Sequence, residues 1–91
     1  MAPLDHLHFT LYTREGCHLC DSAQEALLQE QRRFGFALEV IDVDTDSDLA
    51  RLHGDAVPVV AVNGKVRFHG EVNAVLLRRL LRAESRTRRG S

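Results

Sequence analysis

Leu7, Phe9 and Leu11 alternate with His8, Thr10 and Tyr12 near the start of the chain. A period of two over this run predicts a β-strand over 7–12. Thr13-Arg14-Glu15-Gly16 interrupts the pattern, and the period then changes. Leu19, Ala23, Ala26 and Leu27 follow helical spacing with good helix formers between them, which predicts a helix over 17–33 closed by Gly35. A run rich in Leu, Val and Ile over 37–43 predicts a second strand. Thr45 followed by Asp48 resembles a helix-capping arrangement, opening a short helix to about 52 that His53-Gly54 ends. A third strand is expected over 57–62, with Pro58 near its start. Asn63-Gly64 is a two-residue hairpin signal, so 65–69 should pair back antiparallel. After Gly70, the residues Val72, Val75, Leu76 and Leu80, with Leu77 and Leu81 alongside, predict an amphipathic helix over 71–82.

The element order is β-α-β-α-β-β-α, an α/β class. The first crossover should be right-handed, with its two strands parallel. The closing hairpin adds antiparallel strands, giving a four-stranded mixed sheet with helices on both faces. Residues 1–84 are expected to form one domain and 85–91 a basic, disordered C-terminal tail.

Composition narrows the class. The chain has 91 residues, near the lower end of what folds on its own core, and its 44% hydrophobic content supports such a core. No apolar run approaches the length of a membrane span, so no membrane association is expected. The segment from Met1 to His6 has neither the basic nor the apolar stretch of a secretory signal. Both cysteines fall in one motif, which rules out a disulfide framework. A cytoplasmic, reducing location and a monomer are the expectations.

The net charge of −1 is unevenly spread. Glu39, Asp42, Asp44, Asp46, Asp48 and Asp55 crowd the middle, while Arg78, Arg79, Arg82, Arg86, Arg88 and Arg89 load the end. Such an end can bind nucleic acid or an acidic partner. A helix terminus whose arginines complement its dipole explains it more simply, so no nucleic-acid partner is expected.

The motif is Cys17-His18-Leu19-Cys20. Two residues three apart on a helical first turn lie about 5 Å apart, within reach of a disulfide. A loop so short adds little stability, because the gain grows with loop length. The pair is therefore a poor staple and a plausible switch. A thiol is a nucleophile as its thiolate, which helix N-termini favour. Cys17 is the expected nucleophile, with Arg14 and His18 as nearby positive groups and Glu15 opposing them. Cys20, one turn further in, is the expected resolving thiol.

These features resemble the thioredoxin fold, and specifically a short glutaredoxin. Tyr12-Thr13-Arg14-Glu15-Gly16-Cys17-His18-Leu19-Cys20 is similar to the glutaredoxin active-site segment, where Arg14 matches a basic residue three before the first cysteine. Ala56-Val57-Pro58 is similar to the family's Thr-Val-Pro, whose proline is cis and faces the active site. His69-Gly70 stands where the family has Gly-Gly. The resemblance covers about residues 6–83. It implies a thiol–disulfide oxidoreductase that reduces protein disulfides or glutathione mixed disulfides through Cys17 and Cys20. Arg14, Tyr12, Val57, Pro58 and Gly70 are the implied substrate- or glutathione-binding residues, with glutathione a possible co-substrate and no resident cofactor. His18-Leu19 replaces the usual Pro-Tyr, and Val72, flanked by Glu71 and Asn73, falls near the place of an acidic residue.

A different class stays open: an interaction or metal-handling module whose thiols are secondary. Zinc needs four ligands, and besides the two thiols the chain offers His6, His8, His18, His53 and His69. His18 alone is local, and it points to another helix face, so no metal site within one chain is expected. An iron–sulfur cluster shared between two chains through Cys17 is the remaining form of that alternative.

Overall fold

A computed structural model describes residues 3–90, with side chains to 86. Its elements are β1 (His8–Thr13), α1 (His18–Phe34), β2 (Ala37–Asp42), a short 3-10 turn (Val43–Thr45), α2 (Ser47–His53), β3 (Val59–Val62), β4 (Lys65–His69) and α3 (Ala74–Gly90). The sheet order is β2-β1-β3-β4. β1 pairs parallel with β2, from His8↔Ala37 to Thr13↔Asp42, and antiparallel with β3, from Phe9↔Val62 to Tyr12↔Val59. β3 pairs antiparallel with β4, with a bulge between Val60 and Ala61. This is the mixed four-stranded sheet that the pattern predicts.

Phe9 and Leu11 stand beside Val62 and Val60 on one face of the sheet. There they pack with Ala23, Leu27 and Phe34 of α1 and Leu77, Leu80 and Leu81 of α3. The rings of Phe9 and Phe36 meet at 4.3 Å. On the other face the register puts Tyr12 beside Val59, and His53 of α2 stacks on the Tyr12 ring at 4.5 Å. Helices therefore lie on both faces, although α2 buries none of its residues.

Local chemistry sets the element ends. Gly35 ends α1 in the left-handed region at φ 72°, and a Cβ there would lie 2.9 Å from Pro3 Cβ. Asn63 and Gly64 both take positive φ, 51° and 85°, as a two-residue hairpin turn requires. The Asn63 side chain also accepts the His8 N–H at 2.8 Å.

Several expectations need correction. Asp46, not Thr45, caps α2: its carboxylate accepts the Asp48 and Leu49 N–H groups, while Thr45 donates its hydroxyl to the Asp42 carbonyl within the 3-10 turn. The last helix begins after Asn73, whose side chain accepts from the Val75 and Leu76 N–H groups. Its buried stripe is Leu77, Leu80 and Leu81, leaving Val75 and Leu76 exposed. The helix runs from Ala74 through Gly90, with no glycine or proline inside it before Gly90. Ser91 lies outside the described residues. Leu19 is outside the core at 53% exposure.

One buried charge joins the two core helices. Glu30 of α1 takes the Arg78 Nε and Nη2 donors of α3 on one oxygen, at 3.1 and 2.7 Å. Its other oxygen is buried with no partner among the described residues. Among those residues, no helix is long and apolar enough to cross a membrane.

Candidate active site

β1 delivers the chain to a turn at one end of the sheet, where the Cys17 N–H bonds to the Arg14 carbonyl at 3.3 Å. Cys17 is extended, at φ −96° and ψ 106°, and caps α1 rather than joining its first turn. Its Sγ accepts the Cys20 N–H at 3.1 Å. Cysteine is thus doing what Ser, Thr or Asp does at most helix starts: its side chain meets a backbone donor that has no partner within the helix. The two cysteines form a disulfide with Cα atoms 5.2 Å apart. Cys20 is 1% exposed, whereas Cys17 is half-buried and His18 and Leu19 face solvent. One sulfur is within reach from outside and the other is shielded.

The Val57–Pro58 peptide bond is cis. Pro58 is buried and immediately precedes Val59, which pairs with Tyr12. The proline therefore borders the point where β1 gives way to the cysteine turn. Gly70 belongs to the same corner, since its N–H reaches both the Ala56 and the Pro58 carbonyls at 2.9 Å. Val57, Pro58 and Gly70 thus form one cluster. Tyr12 does not join it, because its ring lies under His53 on the α2 face.

Arg14 is committed elsewhere. Its Nε and Nη2 donate to the two Asp44 oxygens at 3.1 and 3.0 Å, and its Nη1 donates to the Gly54 carbonyl at 3.2 Å. The hydrogen bonds to Asp44, and then the charge of Asp44, raise the guanidinium pKa above its ordinary value; Asp55 and Asp42 act the same way. Asp44 and Gly54 are residues that sequence reasoning missed. Asp44 is one carboxylate in an acidic run, and nothing local marks it as the partner of an arginine thirty residues earlier.

Gly54 has a steric role. A Cβ there would fall 2.3 Å from the Ala50 carbonyl oxygen and 2.7 Å from Arg14 Nη2. The backbone oxygen cannot swing aside as a side chain would. Gly54→Ala is therefore expected to cost about 1–3 kcal/mol of overpacking, read as a lower urea midpoint with an unchanged slope. A loss below ~0.5 kcal/mol, the range of ordinary surface changes, would show that this corner yields freely.

The chain as a whole also has counterparts among known proteins. A model of the glutaredoxin-like domain (DUF836) family matches residues 8–82. The chain belongs to that family. A "Probable Thioredoxin" of Methanothermobacter thermautotrophicus is 34% identical over 67 residues, covering 70% of this chain and 79% of that protein. The X-ray structure of a protein from X. campestris is similar with a TM-score of 0.68 and 36% identity, over 82% of this chain and 96% of that one. A mutant thioredoxin from Halobacterium salinarum superposes with a TM-score of 0.67 over 86% of this chain and 74% of that one. At 19% identity that last likeness shows the fold alone. The glutaredoxin-like chain is thus a thioredoxin-fold protein with its cysteine pair at the start of α1.

Proposed function

We propose that the protein is a thiol–disulfide oxidoreductase that reduces protein disulfides or glutathione mixed disulfides through Cys17 and Cys20. The observation that carries this reading is the asymmetry of the pair: Cys17 is half-buried at a helix N-cap and its Sγ accepts a backbone N–H, while Cys20 is enclosed. Free N–H groups and the positive end of the helix dipole favour a thiolate at the first position. Family membership supports the same chemistry.

In the reduced enzyme, the Cys17 thiolate attacks one sulfur of the substrate disulfide. A Cys17–substrate disulfide forms, and the other substrate sulfur leaves as a thiolate that takes up a proton. The Cys20 thiol, losing its proton, then attacks Cys17 Sγ. This closes the Cys17–Cys20 disulfide and expels the second substrate thiolate. Two electrons pass from the enzyme dithiol to the substrate, and an external thiol reductant restores the dithiol. The 5.2 Å Cα separation suits the second step, because it lies inside the range that a disulfide accepts.

The test is to equilibrate the protein in graded glutathione redox buffers, trap the thiols and resolve the species by mass. A reversible two-electron transition is expected within the cytosolic poise, roughly −220 to −320 mV. A mixed disulfide accumulating on Cys17 would add glutathione to its substrates. Cysteines that stay inert across the series would overturn the proposal.

A further inference from the structure

The corner around Cys17 has an unusual charge balance. Hydrogen bonds tie four stretches together at this end of the sheet. The Arg14 carbonyl takes the Cys17 N–H within 13–21, its side chain reaches into 42–45 and to Gly54, and Gly70 ties 70–73 to Ala56 and Pro58 of 54–58. Across them Arg14 is the one fixed cation, against Glu15, Asp21, Asp42, Asp44, Asp55 and Glu71. That single cation is already held by both oxygens of Asp44 and bonded to the Gly54 carbonyl. Three of its five N–H donors are taken by protein acceptors, and its charge is matched by the Asp44 carboxylate.

Resting on the oxidoreductase reading above, we propose that Asp44 sets the substrate class by offsetting the charge of Arg14, so that Cys17 reacts preferentially with disulfides in neutral or basic polypeptide. Glutathione carries two carboxylates and one ammonium, and so approaches this corner with net negative charge. It meets an excess of carboxylates and a guanidinium whose charge Asp44 already offsets. A disulfide flanked by lysine or arginine meets the same carboxylates as attraction. Such complementarity acts mainly on encounter and on selection among partners. The neighbouring side chains agree with a polypeptide substrate, since the exposed Leu19 between the cysteines offers an apolar contact that a peptide can cover.

The experiment uses the full chain with dithiothreitol as the external dithiol. Three intermolecular peptide disulfides are compared, identical except for flanking lysines, serines or glutamates, together with the mixed disulfide of glutathione and 2-mercaptoethanol. The wild-type kcat/KM should fall in the order basic, neutral, acidic, with the glutathione substrate grouped with the acidic one. Each step is expected to be on the order of fivefold at low salt, the size of one charge interaction at a partly exposed site. The spread should narrow at high salt, where the screening length shortens. Asp44→Asn should raise the ratio of glutathione-substrate to neutral-peptide rates by about fivefold, and adding Arg14→Gln should remove that gain. A wild-type protein that prefers the acidic or glutathione substrate overturns the proposal, as does an unchanged ratio in Asp44→Asn. Failure to reduce any of the four substrates would instead sink the oxidoreductase reading. The wild-type substrate series needs no variant, so the proposal stays testable even if Asp44→Asn does not fold.

Discussion

Cys17→Ser is expected to abolish disulfide reduction, lowering turnover by roughly three orders of magnitude or more, as removal of a nucleophile does. The variant should remain folded. Serine ranks among the preferred N-cap residues, so its hydroxyl can accept the Cys20 N–H that Cys17 Sγ accepts now. Loss of activity would then report chemistry rather than collapse, and circular dichroism beside the turnover assay separates the two. Cys20→Ser should behave differently. The first attack still proceeds, but no second thiol releases the substrate, so a covalent adduct on Cys17 should accumulate and be seen as a mass increase. If Cys17→Ser kept its activity while Cys20→Ser lost it, the roles of the two thiols would be reversed.

Phe9→Ala should have the largest effect on stability. Phe9 is fully buried in the centre of the sheet, between β2 and β3, and its ring lies 4.3 Å from that of Phe36. Removing a buried ring forfeits its transfer free energy and leaves a cavity that fixed neighbours fill poorly, a cost of about 3–5 kcal/mol. Domains of this size are stable by about 5–15 kcal/mol, so the change consumes a large share of the total. Chemical denaturation should show the midpoint fall with little change in slope. A loss under ~1 kcal/mol, the centre of the ordinary mutational range, would mean that the core is not organised around this ring.

Much of this architecture is legible in local pattern. The alternation of Leu7, Phe9 and Leu11 predicts both the first strand and the face it buries, and all three are at most 2% exposed. Asn63-Gly64 works equally well, because a two-residue turn depends on two backbone conformations and little else. The resemblance to glutaredoxins implies the cis bond at Pro58, and the fold contains it. Where reading failed, the deciding contact was distant or the capping residue was misjudged. Val75 and Leu76 look like core residues on helical spacing, yet the stripe of α3 that packs on the sheet is Leu77, Leu80 and Leu81. For Arg14 the resemblance implies a substrate contact, while its partner within the fold, Asp44, lies beyond the second strand where no local pattern marks it. Tyr12 in sequence suits the core as well as a substrate platform, and only the packing of α2 reveals His53 on its ring.

The sheet ends in two open edges, β2 and β4, each with backbone groups that could template another chain. Val40 and Val66 leave apolar surface exposed on those strands. Two devices work against stacking. Charges stand along both edges, Glu39 and Asp42 on one and Lys65 and Arg67 on the other. The bulge between Val60 and Ala61 sharpens the local twist, so the β4 edge does not offer a flat surface to a neighbour. Among the described residues both edges of the sheet thus stay unpaired, yet neither offers the flat, uncharged strand that most readily templates a neighbour.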